Sequence, residues 1–98
     1  MAEISITEAD ERRKNAQVLD VREDFEVAEG MIPGAIHIPM GELQARLFEL
    51  DAKVPVIAIC RSGNRSARVA DALNAAGFTA DTMDGGMIAW TRAGLPTT

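Results

Sequence analysis

Cys60 is the only cysteine of the chain, and in CRSGNRSAR the eight residues that follow it supply three arginines, two serines, a glycine and an asparagine. A thiol reacts as its thiolate, and a free cysteine with a pKa of about 8.5 is mostly protonated at neutral pH. Three features of the run favour the anion. A helix beginning near Ser66 directs unpaired N–H groups and the positive end of its dipole back at the loop. A tight turn containing Gly63 and Asn64 aims successive amides inward as an anion-binding nest. Arg61 and Arg65 add full positive charges in a chain whose net charge is −5, so their clustering is no by-product of a basic protein. A lone cysteine commonly packs as a small hydrophobe, but packing requires no arginines beside it. The pattern points to a nucleophilic Cys60 at the base of an anion pocket formed by Arg61, Ser62, Gly63, Asn64, Arg65 and Ser66. Arg68, one helical turn on, reads equally as an aid to anion attraction and as a solvated surface charge.

Composition narrows the class of protein around that loop. Ninety-eight residues amount to one domain, 1–98, with 47% hydrophobic and 26% charged residues, as expected of a folded globular chain. The acidic balance argues against nucleic acid as the main partner, since phosphate binding needs a basic surface. A single cysteine excludes an internal disulfide and any multi-cysteine zinc site. The opening MAEISITEADERRKN lacks the apolar core of a signal peptide, and no run approaches a membrane span. A cytoplasmic location, where thiols stay reduced, is the expectation.

The elements that must position the loop follow from pattern. ISI (4–6) reads as a strand, and Thr7 with Asp10 as the capped start of a helix over 8–14. AQVLDV (16–21) reads as a strand, 23–29 as a short helix that Gly30 closes, and 35–38 as a brief extended run after Pro-Gly turn chemistry. Leu43, Leu47 and Leu50 stand at helical spacing with Phe48 beside them. The run 54–59, VPVIAI, is nearly continuous and β-branched, predicting a central strand buried on both faces. Val69, Ala72, Leu73 and Ala76 define an apolar helix face ending at Gly77. A last strand over 78–83 and a turn with a short helix over 85–94 complete the chain. Alternation of strands and helices predicts an α/β domain with a mostly parallel sheet of about five strands flanked by helices on both faces. In that architecture ligands sit beyond the carboxyl ends of strands, where Cys60 falls.

CRSGNRS resembles the active-site loop of the rhodanese-like domains, the sulfurtransferase fold. VLDVRE (18–23) is similar to the family's strand ending in Asp and Arg, GMIPGAIHIP (30–39) to its Gly-x-Ile-Pro-Gly-Ala segment, and DGGMIAW (84–90) to its C-terminal Gly-Gly-x-x-x-Trp. Four motifs in order cover nearly the whole chain. Met31 departs from the pattern, since many members carry histidine there. The resemblance implies a persulfide cycle. Cys60 takes the outer sulfur of thiosulfate or a similar donor, and cyanide, a small thiol or a protein thiol then removes it, with no metal or organic cofactor. The loop fits that chemistry on its own terms, because fixed amide dipoles stabilise anionic sulfur without reorganising, and arginines bind a sulfonate end.

Asp20 and Arg22 lie on one face of their strand. They read either as an ordinary ion pair or cap or, as the resemblance implies, as an aspartate that fixes neighbouring backbone and an arginine near the active-site side. His37, between two isoleucines, reads as a structural histidine rather than a base. Trp90, Met83 and Met87 read as packing. Two rival functions remain. A phosphatase or arsenate reductase uses a cysteine, five residues and then arginine, whereas four residues separate Cys60 from Arg65. A binding module or persulfide relay to one partner protein shares the first half-reaction and differs only in its acceptor.

Overall fold

The apolar run before Cys60 forms a strand with no exposed face, and the rest of the chain is arranged around it. The computed structural model describes residues 3–98. In order the elements are β1 (Glu3–Ile4), α1 (Ile6–Arg12), β2 (Gln17–Asp20), α2 (Asp24–Val27), β3 (Ile36–His37), two 3-10 turns (Met40–Glu42 and Leu47–Glu49), β4 (Val56–Ile59), α3 (Asn64–Ala75), β5 (Ala80–Met83) and α4 (Gly86–Arg92). The five strands make one sheet, ordered β1-β5-β4-β2-β3, and every pairing is parallel.

Side-chain alternation divides the core into two layers. Val56, Ala58 and Cys60 point to one face, where Val69, Ala70 and Leu73 of α3 meet Leu43 and Leu50. Ile57 and Ile59 point to the other, against Ala9 of α1 and Met87 and Trp90 of α4. Helices therefore cover both faces, as the unbroken apolar run of a buried parallel strand requires. Fully burying each such Val or Ile contributes about 1.5–3 kcal/mol relative to exposure, so β4 anchors the sheet while the two-residue edges β1 and β3 add little. Polar staples set the strand ends. Gln17 bonds Asp51 through both amide atoms at 2.8 and 2.9 Å, and Asn74 of α3 clasps Ala80 through its N–H and carbonyl, both at 2.9 Å.

Several boundaries depart from the sequence reading. Ser5, not Thr7, caps the first helix, its hydroxyl accepting the Glu8 N–H at 3.1 Å, and the preceding strand ends at Ile4. The leucine-spaced segment 43–50 is not a helix. Arg46 adopts φ −113°, ψ 15°, outside helical values, while its guanidinium bridges Glu42, Glu49 and the His37 carbonyl. The backbone accordingly closes two separate i→i+3 turns that deliver Leu43 and Leu50 to the core and leave Phe48 exposed. The helix after Cys60 begins at Asn64 rather than near Ser66, and its inner face is Ser66, Val69, Ala70 and Leu73, with Ala72 and Ala76 on the outside. Among the described residues no helix is long and apolar enough to cross a membrane.

Sheet order decides where a ligand can sit. The chain leaves β2 toward β3 on one side and leaves β4 toward β5 on the other, so the connections diverge between β2 and β4. In open parallel sheets the crevice at such a point, beyond the carboxyl ends, is the binding position. Cys60 follows β4 there, and Arg22 follows β2.

Candidate active site

Gly63 turns the chain sharply beneath the thiol. Its φ of +107° lies where residues other than glycine are strained, and it places the first amides of α3 under Cys60. The Gly63 N–H donates to Cys60 Sγ at 3.0 Å and the Ser66 N–H at 3.4 Å. Ser66 Oγ stands a further 3.4 Å from the sulfur. Burial pushes the thiol up, but hydrogen bonds from the Ser66 hydroxyl and amide and from the Gly63 and Ser62 amides outweigh it. The net result is a Cys60 thiol held below its ordinary value. Amide donors directed at a buried sulfur favour its anionic form.

The loop's carbonyls are held away from the sulfur by α4. Met87 N–H donates to the Cys60 carbonyl at 2.9 Å and Ile88 N–H to the Arg61 carbonyl at 3.1 Å. That approach demands Gly86, since a Cβ there would lie 2.6 Å from the Cys60 carbonyl oxygen and closer still to that of Arg61. With the carbonyls tied down on one side, the amides of the same turn face the sulfur on the other. Gly86 of DGGMIAW thus lets α4 hold the loop itself, a role the sequence reading did not assign.

The arginines divide into different roles. Arg65 is bound twice by Glu26, at 2.7 and 2.8 Å, across the gap between α3 and α2. The Arg65 guanidinium is the main cause holding the Glu26 carboxyl down to about 2. Arg22 is nearly buried and pairs with fully buried Asp20, Nη2 to Oδ2 at 2.8 Å, while donating to the Gly30 carbonyl at 2.8 Å and the Glu26 carbonyl at 3.3 Å. The pair braces the end of β2 against α2. Arg61 is exposed and lines a cleft of about 390 Å³ with Arg22, Phe25, Glu26, Met87 and Thr97. Arg68 lies elsewhere, beside an apolar groove formed with Met40 and Leu47. Asn64 opens α3 with its side chain exposed, as is that of Ser62. His37 donates from Nε2 to the Arg22 carbonyl at 2.7 Å, so its ring supports the turn after β2. Trp90, Met83 and Met87 are buried, with Met87 reaching the cleft wall.

Two residues at this site escaped the sequence reading. Glu26 falls within 23–29, a stretch read only as a short helix. Thr82, in the middle of β5, is 1% exposed and lies 2.7 Å from Ser66 Oγ; a threonine in a strand carries no local signal of such a contact. Among the described residues no group of three or more His, Cys, Asp or Glu is placed to hold a metal.

Comparison with known proteins agrees with this geometry. The family model of the rhodanese-like domain matches residues 5–93. YtwF of Bacillus subtilis, whose name assigns it as a candidate sulfurtransferase, is 48% identical over 83 residues, covering 85% of this chain and 78% of its own length. A sulfurtransferase of Allochromatium vinosum is 39% identical over 80 residues, covering 81% and 75% respectively. The crystal structure of a rhodanese-related protein from Thermoplasma volcanium superposes with a TM-score of 0.95 at 34% identity, covering 100% of this chain and 98% of that one. The chain belongs to the rhodanese-like domain family.

Proposed function

We propose that this protein is a sulfurtransferase that moves sulfane sulfur from thiosulfate or a similar anionic donor to a thiophilic acceptor through a persulfide on Cys60. Relatives named as sulfurtransferases support sulfur transfer in general. The observation that carries the finer reading is the cradle of Gly63 and Ser66 amides on Cys60 Sγ. In the first step the Cys60 thiolate attacks the outer sulfur of thiosulfate. The sulfur–sulfur bond of the donor breaks, its electron pair leaves with sulfite, and Cys60–S–S⁻ remains. In the second step cyanide, a small thiol or a protein thiol attacks the terminal sulfur, and the pair of the breaking S–S bond returns to Sγ. Every sulfur species bound to the loop is an anion, so preorganised amides serve both steps without rearrangement. In this reading the exposed guanidinium of Arg61, next to Cys60 in the chain, draws the anionic donor toward the loop. The chemistry requires a reduced Cys60, which suits a thiol-reducing compartment such as the cytoplasm.

The phosphatase alternative has less support. Arg65, the residue that would clasp a phosphoryl oxygen, is engaged by Glu26, and only four residues separate it from the cysteine. Intact-mass spectrometry after incubation with thiosulfate tests the proposal. One added sulfur, mapped to Cys60 and removed by a reducing thiol, is the expected result. An unchanged mass across thiosulfate, polysulfide and organic persulfide donors would sink it.

A further inference from the structure

Ser66 and Thr82 are the two buried hydroxyls of the site, and their hydrogens can be assigned by elimination. Thr82 is 1% exposed, and the acceptor the structure offers its hydroxyl is Ser66 Oγ, 2.7 Å away. A buried hydroxyl left without an acceptor costs the full desolvation of its donor, so Thr82 donates and Ser66 accepts. The Ser66 proton then has two destinations: the Gly63 carbonyl at 3.2 Å and Cys60 Sγ at 3.4 Å. Which one it takes depends on the sulfur. A thiol can donate its own S–H to Ser66 Oγ, leaving the Ser66 proton on the Gly63 carbonyl. A thiolate is acceptor-only, so the Ser66 proton turns to Sγ. The Gly63 carbonyl tolerates that loss because the Ala67 N–H also donates to it, at 3.1 Å.

We propose that Thr82 is a positioning residue of the sulfur-transfer site, one that locks Ser66 as a single-hydroxyl rotor which releases the Gly63 carbonyl and donates to Cys60 Sγ when the sulfur is anionic. The proposal rests on Cys60 being the sulfur-carrying nucleophile. Thr82 reaches neither substrate nor sulfur; it acts through Ser66. Its donated bond polarises the Ser66 hydroxyl, and chained hydrogen bonds in a low-dielectric interior strengthen one another by roughly 10–30% per bond. The strand position suits the task. Ala80 and Thr82 alternate with Asp81 and Met83 along β5, so Thr82 shares the α3 side of the sheet with Ala80, and its register partner Ala58 belongs to the strand that leads into Cys60.

The test compares Thr82→Val, which keeps the shape and removes the hydroxyl, with Thr82→Ser, which keeps the hydroxyl. Ionisation of Cys60 is read from thiolate ultraviolet absorbance and from the pH profile of alkylation by iodoacetamide. Thr82→Val should raise the thiol's apparent pKa by about half a pH unit, a roughly threefold loss of thiolate below that pKa, because the bond that polarises and orients the Ser66 hydroxyl is gone. Thr82→Ser should return it to the wild-type value. Ser66→Ala should produce a larger rise than Thr82→Val, and adding Thr82→Val to Ser66→Ala should change nothing more. A wild-type profile in Thr82→Val, or equal shifts in Thr82→Val and Thr82→Ser, would overturn the rotor. Persulfide formation by the wild-type protein, followed in parallel by mass, distinguishes this failure from failure of the persulfide reading itself. Because valine is at home in a buried strand, the variant should fold, and its melting temperature serves as the control.

Discussion

Replacing Glu26 with glutamine isolates the ion pair that engages Arg65. The amide preserves the shape and, through its carbonyl, the bond that the Glu23 N–H makes to Glu26 Oε1 at 2.9 Å; the charge disappears, and with it the acceptor Oε2 that Arg65 Nη2 uses at 2.8 Å. A carboxyl held at about 2 in place of the usual 4.5 corresponds, at about 1.36 kcal/mol per pH unit, to a ceiling of roughly 3.4 kcal/mol. Glu26 is 12% exposed but Arg65 is 31% exposed, so solvent screening reduces the pair to about 1–2 kcal/mol. For a domain of this length that lowers the melting temperature by about 5–10 °C at pH 7. The sign with pH follows from a depressed carboxyl. Its contribution is whole above the unfolded value of 4.5 and is lost as pH falls toward about 2, so wild type and Glu26→Gln should differ at pH 7 and converge in acid. The same change releases Arg65 for a sulfonate. One new charge-assisted bond worth about 1 kcal/mol should lower the Michaelis constant for thiosulfate about fivefold while leaving that for an uncharged donor nearly unchanged. Chemical denaturation at a series of pH values and steady-state kinetics with both donors are the assays. A variant as stable as wild type at pH 7 would show that Glu26 does not hold Arg65 in solution. A destabilised variant with the same Michaelis constant would remove Arg65 from anion binding.

Three further outcomes are expected. Cys60→Ser should abolish sulfur uptake by mass and all turnover while melting within a few degrees of wild type, because the Gly63 and Ser66 amides can donate to an oxygen in place of the sulfur. Gly86→Ala should cost about 1–3 kcal/mol and raise the thiol's apparent pKa, since its φ of +57° and the 2.6 Å approach to the Cys60 carbonyl leave no room for a methyl group; an alkylation profile like that of wild type would show that α4 does not hold the loop. Arg22→Met should cost about 3–5 kcal/mol by leaving the Asp20 carboxylate buried without its partner, and urea denaturation would reveal a smaller loss if water or rearrangement supplied a substitute.

Local pattern alone carried the architecture. Alternating strand and helix signals, a doubly apolar run over 54–59 and a glycine three residues after the cysteine place a thiol at the carboxyl end of a buried parallel strand, because burial periodicity and turn chemistry are properties of neighbouring residues. Where local pattern misled, tertiary contacts were competing with it. Leucines at 43, 47 and 50 satisfied helical spacing, yet the bond from Arg46 to the His37 carbonyl accompanies two short turns instead.

The electrostatics of the site were decided by the fold. That Arg65 faces Glu26, 39 positions away, that Ser66 meets Thr82 across 16, and that Gly86 presses on the carbonyls of Cys60 and Arg61 are consequences of strand order, which brings the ends of β2, β4 and β5 together. The chain's own order specifies which groups are available for chemistry. Which of them neutralise one another and which remain directed at the sulfur depends on distances of about 3 Å between distant segments, and only close packing of the folded sheet sets those.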